Sequence, residues 1–292
     1  MKHLAPFLIL LAGILWGCLG IFVRVLNALG LYSMDIVALR AFVTCIVMGI
    51  FIFCHERALF KIRLRDLWCF FGTGICSIVF FNYCYFKAIS MTSLSIAAVL
   101  LYTAPSIVMI LSFILFKERF NVNKLISLVL TFAGCVLVTG VITEPGSVTW
   151  NGIMTGLGAG LGYALYSIFG RYSIDRGYHS FTITFYTFLF ASLGTFFVAD
   201  IPKICVAVTQ NISVVVWCLI LGIVCTVVPY LLYTIVLRYV ENGRASIIAS
   251  VEPVTATILG VILYSEKISM MSAVGIILVL AGLIICNQKK LL

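Results

Sequence analysis

Charge is what this chain has least of. Ten acidic and nineteen basic residues make up 10% of its 292 positions, against about 25% in soluble domains. Histidine is scarcer still: His3, His55 and His179 all fall near loops or termini, which argues against a metal site inside the apolar body. No Gly-x-x-x-x-Gly-Lys-Ser/Thr occurs, so this chain does not hydrolyse ATP through a P-loop. His-Glu-x-x-His and Gly-x-Ser-x-Gly are missing as well. Catalysis normally needs a nucleophile–base or metal constellation, so the chain reads as a non-enzyme without a cofactor. The eleven cysteines stand singly in apolar runs (Cys18, Cys45, Cys84, Cys135, Cys225), with no Cys-x-x-Cys spacing. They read as buried free thiols rather than a disulfide framework. Alternating β-barrel patterning is absent too.

What is present is hydrophobicity, 63% of the chain, in blocks of about 20 residues, the helical length that crosses a hydrocarbon core of roughly 30 Å. The expected fold is an all-α membrane protein with ten transmembrane helices at 4–26, 35–54, 67–89, 94–116, 122–142, 151–173, 180–199, 213–237, 244–264 and 270–287. The first run is too long for a signal-peptide core, so it reads as an uncleaved span. The formal charge of +9 does not point to nucleic acid, because the basic residues sit mostly in short loops between spans. With the N-terminus inside, fourteen of the nineteen lie on the cytoplasmic face and five (Arg24, Arg40, Lys87, Lys203, Lys267) on or near the other. Both termini are therefore expected to be cytoplasmic.

The chain repeats itself. Ala97 to Glu118 is echoed 148 residues later by Ala245 to Glu266. Pro105 pairs with Pro253, Glu118 with Glu266, Gly74 with Gly222 and Tyr85 with Tyr233. Solenoid repeats have a period of about 20–50 residues; this longer register marks two halves, 1–143 and 150–292, joined through Thr143–Trp150 with Pro145 and Gly146. Five spans per half is an odd number, so the second half inserts upside down. Inverted repeats of this kind place a substrate site at their interface near mid-membrane, and channels share the arrangement.

Candidate site residues follow from depth. Trp16 aligns with Tyr163 at an offset of 147; both rings lie inside their spans rather than in the interfacial belt, where they line a cavity or pack a core. The glycines around them (Gly13, Gly20, Gly156, Gly160) suit close helix packing. Pro105 and Pro253 each remove a backbone donor inside a span and should kink it, forming cavity walls or hinges. Glu252 precedes Pro253 and lies eight residues beyond Arg244, roughly 12 Å along a helix. Such a deep charge faces a cavity or a partner. Three roles compete: proton coupling, binding of a substrate amine, or a structural ion pair with Arg40 or another cation. Arg40 itself either binds a substrate carboxylate or braces helices. Asn82, Tyr102 and Ser250 are further polar handles. Glu118 and Glu266 follow span ends, where the macrodipole disfavours a carboxylate, and read as braces for the connection to the next helix.

The chain resembles the drug/metabolite transporter superfamily, and within it the ten-span EamA-type exporters, over nearly its whole length and in two copies. The resemblance rests on Trp16-Gly17, Arg40, Tyr163-Ala164-Leu165-Tyr166 running to Arg171, and the runs Ala97–Pro105–Glu118 and Ala245–Glu252-Pro253–Glu266. It implies a plasma-membrane carrier, an exporter of amino acids or related small metabolites, with a central cavity between the halves. The chain departs from the family pattern at one place: Lys117 and Ser265 replace the glycine common just before the closing glutamate. Beside a secondary transporter, a passive channel or membrane scaffold is the other class the residues allow. Proton exchange and the substrate's own gradient both remain open as driving forces.

Overall fold

The computed structural model describes residues 4–141, 149–265 and 269–287. Lys2, His3, Pro145, Gly146, Glu266, Lys267, Lys289 and Lys290 lie outside the described residues. Among those described there is no strand, and the elements are α1 (Ala5–Ala28), α2 (Ser33–His55), α3 (Leu64–Met91), α4 (Leu94–Phe116), α5 (Val122–Val138), α6 (Trp150–Asp175), α7 (Ser180–Thr195), α8 (Ile201–Gln210), α9 (Ile212–Val236), α10 (Asn242–Tyr264) and α11 (Met270–Asn287). Eight of these are long and apolar enough to cross a membrane. The stretches expected as spans five and seven are shorter helices, α5 and α7, of 17 and 16 residues, at the short limit for a crossing. The region between 199 and 213 contains a helix of its own, α8, where no element was expected. Pro202 stands in its first turn, and Asp200 caps it by accepting the Lys203 amide at 3.1 Å.

The two prolines break their helices rather than bend them. In α4 the helix ends at Leu101 and restarts at Ala104; in α10 it ends at Ala249 and restarts at Glu252. Each proline takes the second position of the new helix, where its missing N–H would have had no partner. Both broken helices then end on a left-handed residue, Lys117 and Ser265, each with φ 55°. The same 148-residue register relates two π-helical stretches, Gly72–Val79 in α3 and Ile223–Val227 in α9. Helix α1 is interrupted at Cys18, whereas α6 runs unbroken for 26 residues.

Glycines set how the helices meet. A Cβ on Gly13 or Gly17 of α1 would stand 3.0 Å from the Ala249 carbonyl or 2.7 Å from that of Glu252, at the break in α10. A Cβ on Gly160 of α6 would stand 2.9 Å from the Leu100 carbonyl, at the break in α4. Each opening helix is thus wedged against the broken helix of the other sequence half. Helices α5 and α11 meet backbone to backbone and run antiparallel: Gly134 faces Gly275, and Gly282 faces Thr131. Large apolar side chains stay on the outside, among them Phe7, Ile50, Phe53, Ile114, Ile262 and Ile277; in a membrane-spanning bundle that surface meets lipid. Of the cysteines expected inside, Cys84, Cys135 and Cys225 are buried, while Cys18 and Cys45 are half-buried, packed at the margin of the core.

Candidate functional site

A cavity of about 670 Å³ lies between helices of both sequence halves. Its mouth is at the helix ends around Asn27, Ser33, Ser90, Leu94 and Tyr264, and it reaches in as far as Arg40, Asn82, Tyr163 and Glu252. Trp16, Tyr102 and Pro253 also line it. The break in α10 brings Glu252 here: a helix that restarts at this residue leaves its side chain in the first turn, facing the cavity. Arg24 stands near the mouth with its guanidinium 4.4 Å from the centre of the Tyr264 ring, a cation–π contact. Among the described lining residues, Glu252 is the one carboxylate.

The polar groups at the inner end are sparsely paired. Tyr163 donates its hydroxyl to Glu252 Oε2 at 3.4 Å. Arg40 Nη2 donates to Asn82 Oδ1 at 3.2 Å, and Asn82 Nδ2 in turn donates to the Ile78 carbonyl at 2.7 Å, which fixes the amide's orientation. Arg40 and Glu252 do not close an ion pair, so the brace drawn as one role for the two does not form. Beneath them a small void of about 20 Å³ is lined by Trp16, Ser77, Tyr166, Ser167, Tyr230 and Tyr233, enough for about one water. Its walls are an aromatic cluster: Trp16 lies 5.1 Å from Tyr230 edge-on, and Tyr166 4.9 Å from Tyr230. Two short bonds lock it, Tyr166 to Thr234 and Ser167 to Tyr233, both 2.8 Å.

Two residues singled out from sequence stand elsewhere. Ser250 is buried and donates to the Ser246 carbonyl at 3.3 Å. Pro105 is buried at the break in α4. Neither lines the cavity, because the α4 break presents Tyr102 to it and the α10 break presents Glu252 and Pro253. Sequence reasoning missed Tyr85 and Tyr230, which also line it; one more aromatic ring in so apolar a chain carries no signal of facing.

The opposite end of the bundle is tied shut. Asp66 accepts the Tyr178 hydroxyl at 2.7 Å and Arg176 Nε at 3.1 Å. Arg171 donates to the Leu237 carbonyl at 2.9 Å, and Lys124 pairs with Glu241. Glu118 accepts the amides of Asn242 at 2.8 Å and Gly243 at 3.3 Å. The brace expected of Glu118 therefore exists, but it holds the start of α10 in the other half rather than the next helix. Tyr178, between α6 and α7, has its phenol pushed above the usual range by burial and by its bond to the Asp66 carboxylate.

Relatives agree with this architecture. The chain is 32% identical over 206 residues to an uncharacterized transporter of Archaeoglobus fulgidus, covering 70% of this chain and 71% of that one. It is 26% identical over 298 residues to the uncharacterized transporter YxxF of Bacillus subtilis, covering 99% of this chain and 91% of the relative. A protein crystal structure superposes with a TM-score of 0.77 at 16% identity, covering 98% of this chain and 97% of that one, a likeness of fold. The model of the EamA-like transporter family matches twice, at residues 3–140 and 150–288. A helical bundle built from two matched stretches, hollow between them and clad in apolar side chains, is a multi-pass membrane protein, and the chain belongs to the EamA-like transporter family.

Proposed function

We propose that the chain is a secondary transporter that exports amino acids or related small metabolites from the cell by alternating access. In this reading it crosses the plasma membrane ten times, with both termini cytoplasmic, as two inverted halves, 1–143 and 150–292. The antiparallel contact of α5 with α11 supports the inversion. The observation that carries the function is the cavity itself: residues of both halves line it, it opens at one end, and hydrogen bonds tie the other end. The tied end holds Arg119, Arg176, Arg238 and Arg244, the face assigned to the cytoplasm, so this conformation is the outward-open one. Glu252 is then the group that exchanges a proton or holds a substrate amine, since a lone carboxylate at mid-depth is costly without such a role.

The test is counterflow of labelled amino acids into liposomes that hold the purified protein. Saturable uptake against unlabelled substrate, lost in Glu252→Gln while the variant remains folded, supports a carrier. Uptake that never saturates, or that is indifferent to Glu252→Gln, would instead mark a channel or a scaffold.

A further inference from the structure

Arg40 is only 4% exposed, yet no carboxylate among the described residues closes an ion pair with it. Among the described residues its guanidinium has a single hydrogen-bond partner, Asn82, and Nε has none. Asp35, on the same helix, is committed elsewhere, accepting the amides of Tyr32 and Asp200 at 3.0 Å each. Glu252 lines the same cavity but accepts from Tyr163 instead. Trp16, 8% exposed, lines the same cavity, and among the described residues its indole Nε1–H also has no partner. Buried donors are almost always satisfied, and a buried charge demands pairing. Two residues that line one cavity, each with an unsatisfied donor and one of them charged, suit an anionic group there.

We propose that Arg40, with Trp16 in the same cavity wall, is the subsite that anchors a carboxylate of the transported molecule. This deepens the transport reading above and rests on it. A planar guanidinium with one arm held by Asn82 keeps its remaining N–H groups for a planar two-oxygen acceptor. A single charge matches one guanidinium. A dianion such as phosphate would be short of donors here and would face the Glu252 carboxylate across the cavity.

The test uses the full-length protein in detergent. Its thermal midpoint is read with the twenty L-amino acids, propionate and phenylacetate, each beside its primary amide, at fixed ionic strength. Acids stabilise the protein, and the matching amides bind at least tenfold more weakly. Asn82→Asp supplies Arg40 with a carboxylate from within, and the acids then lose their advantage over the amides. Amides that bind as tightly as acids, or acid binding unchanged in Asn82→Asp, would overturn the subsite. Stabilisation by sodium chloride equal to that by the acids would also overturn it, since the site would then take a spherical ion. Saturable counterflow alongside any of these results leaves the transporter reading intact. No binding in either series and no counterflow sinks both.

Discussion

The carboxylate of Glu118 caps the amide of Asn242 at 2.8 Å, across 124 positions of sequence. Asn242 opens α10, so an anion sits on the positive end of a helix dipole. The side chain of Asn242 returns the contact by donating to Ser112 Oγ at 3.3 Å. A residue at the close of one helix thereby holds the start of another in the opposite half.

Removing that charge should loosen the tied end. Glu118→Gln keeps an acceptor but loses the ion, at a cost of about 1 kcal/mol; Glu118→Ala loses both bonds, at roughly 2–3 kcal/mol. The thermal midpoint in detergent should fall in that order. An unchanged midpoint in Glu118→Ala would show that the cap carries no stability.

Lys117 and Ser265 should tolerate glycine better than their own side chains. A left-handed backbone costs an L-residue about 1–2 kcal/mol, and the extra freedom glycine has when unfolded offsets about 0.5–1 kcal/mol of that. Lys117→Gly and Ser265→Gly are each expected to raise the midpoint, by about 0.5–1 kcal/mol of stability. A drop in either would mean that the side chain makes a contact worth more than the strain.

Gly134→Val should force α5 and α11 apart. The added Cβ would come within 2.7 Å of the Gly275 carbonyl, and backbone cannot rotate away as a side chain can. Overpacking of this kind costs about 1–3 kcal/mol. Gly20→Ala, where nothing lies within 4 Å, is the control and should leave the midpoint in place.

Pro253→Ala should slow transport more than it weakens binding. Alanine can supply the N–H that proline lacks and so favours joining the two segments of α10 into one helix. Ligand-induced stabilisation and counterflow rate, measured on the same preparation, separate the two effects. Equal losses in both would count against Pro253 as part of a moving wall.

Much of this was legible in the sequence because the membrane permits few solutions. Apolar runs of helical length located the eight long helices, and the echo of Pro105 in Pro253 located both breaks. The charge at Glu252 pointed to a cavity or a partner, since an isolated carboxylate at that depth needs a polar neighbour. The rest was hidden for identifiable reasons. The π-helical turns in α3 and α9 change the backbone's winding without changing composition. Helix α8 is ten residues of mixed character, too short for periodicity to speak. The missing Arg40–Glu252 pair was hidden too, because facing depends on where each helix is rotated. The partner of Glu118 lay beyond reach because no local rule links residues 118 and 242.

The wedging of α1 into the break of α10, and of α6 into the break of α4, bears on how such a chain is assembled. Each sequence half lends its first helix to the interrupted helix of the other as a splint. A polypeptide ending after α5 would leave the carbonyls at Leu100 and Leu101 without the glycine-lined groove that shelters them. The halves are therefore interlocked the way a swapped dimer is, each completing the broken helix of the other.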